Sequence, residues 1–373
     1  MSGADVPLDD VAGAGDVRDE DAFDVASVAT WLRHNAVDSG ALGGMPVVRQ
    51  FVGGASNLTY LLRYAGGPAS GGRDLVLRRP PAGTKAKGAH DMRREHDLQA
   101  ALAPVFPLVP AMVAYCGDEA VIGSEFYVMQ RVVGTILRRD VPPGLGLDAD
   151  GVNALCRNAV DTLVALHEVD LDASGLNVLD RGDGYVRRQV EGWSGRYRRA
   201  RTPDVGDFEA TIAWLEDHQP GDRPHVLVHN DFRFDNLVLD PVDPTSVVGV
   251  LDWELATVGD PLMDLGSALA YWVQADDDAE SLAIRLQPTH APGMLTRAEV
   301  VQRYVQTRGL EVTPEQWAFY EVFGSFRLAG IAQQIYYRFH HAQTTNPAYG
   351  RFRDVVRILD ARCTALIARQ PRP

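Results

Sequence analysis

Three oxygen-bearing side chains, Asp231, Asn236 and Asp252, fall within one stretch of the chain, HNDFRFDNLVLDPVDPTSVVGVLDWE, which runs from His229 to Glu254. An apolar run at 226–229 leads into it. Residues 237–239 and 247–251 have strand composition, and the Asp- and Pro-rich 240–244 between them reads as a turn. With that turn centred near Pro244, residue 239 is expected opposite 249 and residue 236 opposite 252. The hairpin would then bring an amide oxygen and a carboxylate together at its open end. Hard oxygen donors in that number suit Mg²⁺, which takes one or two carboxylates together with phosphate oxygens and keeps its waters. Asp231 lies five residues before Asn236, on the loop entering the same end, where it could orient an attacking hydroxyl or accept its proton. A lone Asp or Asn in a turn is ordinary backbone chemistry. Three at matched positions on one hairpin indicate a site that handles metal and protons.

The spacing H-x-D-x-x-x-x-N followed by a second metal-binding Asp is that of the kinase catalytic loop. HNDFRFDN, with LDWELATVGDPLMDLG after it, resembles the aminoglycoside phosphotransferase family, the small-molecule branch of the protein-kinase-like fold. Within that family it is most similar to the kinase-like domains fused to acyl-CoA dehydrogenases. The resemblance runs from about Gln50 to the C-terminal helices. It implies an α+β, two-lobed fold with a small, mostly β N-lobe and a larger, mostly helical C-lobe. It also implies ATP and Mg²⁺ as cofactors, Asp231 as the catalytic residue, Asn236 and Asp252 as metal ligands, and a small-molecule hydroxyl as acceptor.

Other elements have to position those groups. FVGGASNLTYLLRY resembles the loop that covers the nucleotide, where Gly53 and Gly54 permit close backbone approach and Ser56 and Asn57 can donate to phosphate oxygens. A strand at 74–79 ends in Arg78 and Arg79, with Arg78 where kinases place a phosphate-binding lysine. A guanidinium stays charged and binds phosphate bidentately. Glu95, early in a helix at 91–102, matches the acid that pairs with this cation, although Glu in a first turn also opposes the helix dipole. The strand at 126–133 should end as a hinge, where backbone groups from Gln130 to Val132 would meet adenine.

The rest is dominated by helical periodicity. His167 closes a helix at 153–168 and reads as structural. Asp260 and Asp264 read as braces for the catalytic loop, with Pro261 at a helix N1 position. Residues 185–201 carry six arginines against the single acid Glu191. Such a run is usually a solvated helix face, but in an acidic protein it could be an anion-binding wall. Arg327 and Arg338 share a face of a long helix at 317–341. With Arg196 they are the candidate acceptor residues, which favours an anionic acceptor.

The composition bounds the answer. A chain of 373 residues exceeds one compact core. Its three cysteines are odd in number and widely spaced, without a zinc pattern, which suggests a reducing cytoplasm. No basic, apolar leader opens it, and no apolar run is long enough to cross a bilayer. Of the net charge of −14, half lies in residues 1–24, where eight acids face Arg18 alone. That segment is expected to be a disordered acidic tail, followed by an N-lobe over 25–133 and a C-lobe over 134–373. Binding to nucleic acid or to an anionic membrane is not expected. The reading is an ATP-dependent phosphotransferase acting on a hydroxyacyl-CoA-like anion. The alternatives are an aminoglycoside or amino-alcohol kinase, and a non-catalytic nucleotide-binding pseudokinase, for which Arg78 in place of lysine is the support.

Overall fold

Strand-forming residues dominate the chain up to Val133 and helix-period patterns dominate after it. The computed structural model divides at that point into two units, Met1–Val133 and Gly134–Pro373. It describes residues 11–37, 42–51, 57–65, 72–81, 91–344 and 346–370.

The first unit runs β1 (Ala14–Gly15), α1 (Val25–Asn35), β2 (Val47–Phe51), β3 (Leu58–Tyr64), β4 (Arg73–Arg79), α2 (Met92–Leu102), β5 (Met112–Cys116) and β6 (Phe126–Gln130). The strands form one sheet in the order β1-β2-β3-β4-β6-β5. Period-two alternation sends the side chains of β4 to opposite faces. Leu75 and Leu77 join Tyr60, Leu62, Phe126 and the α1 residues Val28 and Leu32 in one core. Val76 joins Met92, Tyr127 and Met129 in a smaller cluster beneath α2.

Residues 11–24 do not form the solvated tail expected from their charge. β1 pairs with β2, and Asp21 is buried. Its carboxylate accepts from Gln50 Nε2 at 2.8 Å and Arg18 Nε at 2.7 Å, and its main-chain carbonyl takes the Tyr60 hydroxyl at 2.7 Å. A tally of acids counts charge but not the partners folding supplies. Residues 1–10 lie outside those described.

The second unit contains α3 (Ala149–His167), α4 (Tyr185–Ala200), α5 (Glu209–Asp217), β7 (Val226–Val228), β8 (Leu237–Leu239), β9 (Val247–Val250), β10 (Thr257–Gly259), α6 (Pro261–Ala270), α7 (Ala279–Ile284), α8 (Arg297–Thr307), α9 (Pro314–His340) and α10 (Phe352–Ala368). Capping boxes start α8 at Thr296 and α9 at Thr313. α6 crosses α9 at glycines: a Cβ on Gly324 would stand 2.1 Å from the Gly266 carbonyl oxygen. That close crossing buries α6 and with it Asp264. Among the described residues no helix is long and apolar enough to cross a membrane. Cys116, Cys156 and Cys363 are buried free thiols.

Candidate active site

β7 delivers the chain into the loop 229–236, and Asp264, near the start of α6, sets its geometry. The Asp264 carboxylate accepts the His229 N–H at 2.6 Å and the Asn230 N–H at 2.8 Å. His167, at the end of α3, approaches the same carboxylate, Nε2 to Oδ2, at 3.1 Å, and its other ring nitrogen meets the Tyr304 hydroxyl at 2.6 Å. Burial would raise the Asp264 pKa, but the His167 hydrogen bond and charge, followed by the contributions of His229, outweigh it and hold the carboxyl below its ordinary range. Asp260 caps α6 through the Leu262 and Met263 N–H groups, and Pro261 takes the N1 position. The structural readings of His167, Asp260 and Asp264 match these contacts.

Asn230 turns the chain through the left-handed region at φ 63°, which Asn tolerates better than most residues. The His229 ring secures both sides of that turn. Its Nδ1 accepts the Asp231 N–H at 3.2 Å, so the proton sits on Nε2, which donates to the Leu251 carbonyl at 3.0 Å. Asn236 then closes the loop: its Nδ2 donates to the Asp231 carbonyl at 2.8 Å and to Asp231 Oδ2 at 3.0 Å. This leaves the Asn236 amide oxygen on the side away from Asp231.

The hairpin forms, but its register differs from expectation. Leu237 faces Val250, Val238 faces Gly249 and Leu239 faces Val247, with a shift between Val238 and Leu239. The cause is the turn, which is stapled earlier than Pro244: Asp240 Oδ1 accepts the Val242 and Asp243 N–H groups, and Asp240 N–H donates to the Ser246 carbonyl. The Leu251 N–H donates to the Asn236 carbonyl at 2.8 Å, so Asp252 still lies at the open end, one residue beyond the partner of Asn236. Its backbone is left-handed, at φ 67°. Among the described residues no group of three or more His, Cys, Asp or Glu is arranged to hold a metal. The donors here, one amide oxygen and one carboxylate, match a cation that draws its remaining ligands from phosphate and water.

Sequence reasoning passed over Arg233. Its guanidinium lies 3.1 Å from Asp231 through Nε and 3.1 Å from Asp235 through Nη2, and stacks 4.6 Å above the Tyr271 ring. Burial lowers its pKa, but Asp231, Tyr271, Asp235 and Asp252 together raise it further. Asp235 is pushed up by its own burial, against the pull of Arg233. One cation set between two phenylalanines, with an acid on either side, in DFRFD, was the signal.

The candidate acceptor residues separate. Arg327 is buried and donates through Nη2 to the Asn230 carbonyl at 2.7 Å, so it holds the loop 229–236 as well as carrying charge. Arg196 stacks 4.6 Å from the Trp193 ring, which Arg327 also approaches, at 5.1 Å. Arg338 is exposed and lies eleven residues past Arg327, about 16 Å along the helix. The shared helix face of Arg327 and Arg338 does not make one site.

In the first unit, Arg78 Nη1 lies 3.5 Å from Glu95 Oε2, and Glu95 is also held by Asn57 Nδ2 at 2.9 Å and the Tyr127 hydroxyl at 2.9 Å. Asn57 is buried, and its amide nitrogen donates to Glu95. Ser56, Gly53 and Gly54 lie outside the described residues. Arg79, on the opposite face of β4, donates to the Asp21 carbonyl at 2.6 Å and to the Tyr60 hydroxyl. The Gln130 N–H donates to the Ala111 carbonyl and the Arg131 N–H to the Asp74 carbonyl. Val132 follows the sheet.

A sequence profile described as the phosphotransferase enzyme family matches residues 47–300. The chain belongs to that family. Acyl-CoA dehydrogenase family member 11 of Gallus gallus is 34% identical to this phosphotransferase-family chain over 340 residues, 88% of the chain but 41% of the relative. The chain thus spans about two fifths of that relative's length. A crystal structure from Ralstonia eutropha JMP134, provisionally designated an aminoglycoside phosphotransferase, superposes with TM-score 0.77 at 29% identity and covers 94% of this chain and 100% of its own. A thermostable mutant of an aminoglycoside phosphotransferase, in ternary complex with AMP-PNP and hygromycin B, shares the fold at 14% identity and TM-score 0.52, covering 92% of this chain and 98% of its own. The α+β architecture is therefore that of the protein-kinase-like phosphotransferases, with a β-sheet N-terminal unit and a helical C-terminal one.

Proposed function

We propose that the chain is an ATP-dependent phosphotransferase acting on a hydroxyl of an anionic small molecule of the hydroxyacyl-CoA type. The observation that carries this reading is the loop 229–236. Two main-chain N–H groups on Asp264 and the Asn236 amide on Asp231 hold one carboxylate in place beside a pair of hard oxygen donors. Asp231 orients the acceptor hydroxyl and takes its proton as the hydroxyl oxygen bonds to the γ-phosphorus; the bond from that phosphorus to the β–γ bridging oxygen breaks and ADP leaves. Asn236 and Asp252 would hold Mg²⁺, which supplies neutralisation of phosphate charge when bound. Arg78, fixed by Glu95, steadies the phosphates, and backbone at Val132 meets the adenine. Positioning and charge do most of the work in such a transfer.

The preference for an anionic acceptor rests on Arg196 and Arg327 lying over one indole. It is supported by the acyl-CoA dehydrogenase named in the relative, whose polypeptide is longer than this chain. An aminoglycoside is a polycation and would call for carboxylates there. Three buried thiols, without disulfides among the described residues, suit a cytoplasmic enzyme.

The test is ADP release from Mg·ATP against hydroxyacyl-CoAs, kanamycin-type aminoglycosides and amino alcohols. Asp231→Asn should lower turnover by about 10²–10⁴-fold while ATP binding, read by thermal shift, stays near wild type. Full activity in that variant would refute the catalytic assignment. Preference for an aminoglycoside would overturn the acceptor reading alone.

A further inference from the structure

The arginines of α4 fall into two kinds. Arg188 donates to the Asp183 and Gly182 carbonyls, and Arg198 pairs with Glu209 at 2.5 Å. Arg196 and Arg199 have no carboxylate partner among the described residues, yet they stand three apart on one helix face, where like charges oppose each other.

Their placement is built into the helix. Gly192 and Gly195 each precede one of these arginines by four residues. Arg196 Nη1 lies 3.5 Å from where a Cβ on Gly192 would stand, and Arg199 Nη1 lies 3.1 Å from the corresponding position on Gly195. Two missing side chains let both guanidinium groups lie back along the helix. Trp193 carries Arg196 at 4.6 Å and Arg327 at 5.1 Å from its ring centroid, and α9 makes room for the indole with Gly330, whose Cβ would stand 3.1 Å from Trp193 Cε3. Partial desolvation of its head group first, then the charges of Arg199 and Arg327, draw Arg196 below the usual guanidinium range. Three cations with no carboxylate ion pair among the described residues repel one another until a multiply charged anion sits among them, and guanidinium forks match phosphate oxygens.

We propose that Arg196 and Arg327, both over the Trp193 ring, and Arg199, one helical turn beyond Arg196, form a subsite for a phosphate or pyrophosphate group carried by the acceptor. The same Arg327 holds the Asn230 carbonyl beside Asp231, so this subsite and the catalytic loop share a side chain. The acceptor class is then a molecule with a hydroxyl at one end and a phosphorylated group at the other. Arg338 takes no part. The acceptor role rests on the phosphotransferase reading above; anion binding is tested without turnover.

The full chain, saturated with Mg·AMP-PNP so that the nucleotide site is filled, is titrated at constant ionic strength with adenosine 3′,5′-bisphosphate, pyrophosphate and inorganic phosphate. Calorimetry and tryptophan fluorescence follow binding. The expected result is one saturable site for the bisphosphate and pyrophosphate, weaker for phosphate. Arg196→Ala and Arg199→Ala should each weaken it by about tenfold or more, and Arg338→Ala should not change it. Both arginines are exposed, so these variants should fold. Unchanged affinity in the Arg196→Ala/Arg199→Ala double variant, or no saturable binding in wild type, overturns the subsite. Loss of anion binding with ADP release at wild-type KM for the acceptor overturns its role in acceptor recognition and leaves the kinase reading standing. Intact, arginine-dependent binding with no turnover of any acceptor supports the subsite and counts against the kinase reading only.

Discussion

His167 and Asp264 form a buried pair, Nε2 3.1 Å from Oδ2, with neither side chain reaching solvent. Asp264 spends its remaining acceptor capacity on the His229 and Asn230 N–H groups, so one carboxylate joins α3, α6 and the catalytic loop. Removing one partner of such a pair costs about 3–5 kcal/mol. Asp264→Asn should therefore lower the unfolding free energy by that order. ADP release should fall more than ATP affinity, because the loop and not the nucleotide loses its anchor. Wild-type melting and turnover in this variant would contradict the bracing role.

Adjacent arginines on β4 have different jobs. Arg79→Ala leaves the Asp21 carbonyl without its 2.6 Å donor and removes a cation from over the Phe23 and Tyr60 rings. It should cost about 1–3 kcal/mol of stability and little turnover. Arg78→Ala should instead raise the KM for ATP by about tenfold or more, on top of the stability lost with its buried ion pair to Glu95. Steady-state kinetics beside denaturant melts separates them; the reverse pattern would assign the phosphates to Arg79.

Asp74 gives the first unit an acid-sensitive fastening. Arg63 holds it through Nε at 2.7 Å and Nη2 at 2.8 Å, and Arg131 through Nη1 at 2.9 Å. The Arg63 hydrogen bonds lead in lowering its pKa, against burial. A carboxylate depressed on folding contributes stability that is complete above its unfolded value, about 3.9, and is lost as pH falls through the lower folded value. Melts of wild type and Asp74→Asn should differ by a constant amount between about pH 5 and 7 and converge below about pH 4. A gap that widens toward low pH would show the sign to be wrong.

The α6–α9 crossing predicts an order among glycines. A Cβ on Gly324 meets main chain, the Gly266 carbonyl at 2.1 Å, whereas one on Gly330 meets the Trp193 side chain at 3.1 Å. Backbone cannot swing aside as an indole can. Gly324→Ala should destabilise by about 1–3 kcal/mol and Gly330→Ala by less, as read by thermal unfolding. Equal losses would mean that the helices separate freely.

The sequence alone carried the spacing of Asp231, Asn236 and Asp252, the capping of α6 by Asp260 and Pro261, and the change from strands to helices near Val133. These are local properties: residue type, short-range hydrogen bonding and period decide them within a few residues. Partners supplied from a distance were not legible. The Arg78–Glu95 pair was expected only through the resemblance, and nothing near Arg79 in the chain pointed to the Asp21 carbonyl that it holds. Nothing near Asn57 in the chain pointed to the Glu95 carboxylate that α2 brings to it, and Arg327 and Arg338 share a helix face until about 16 Å of helix separates them. The acidic residues before Val25 suggested a free tail because charge was visible and Gln50, Tyr60 and Arg79 were not yet beside it. Tertiary structure decided those roles, because a buried charge takes its function from the groups that folding places against it.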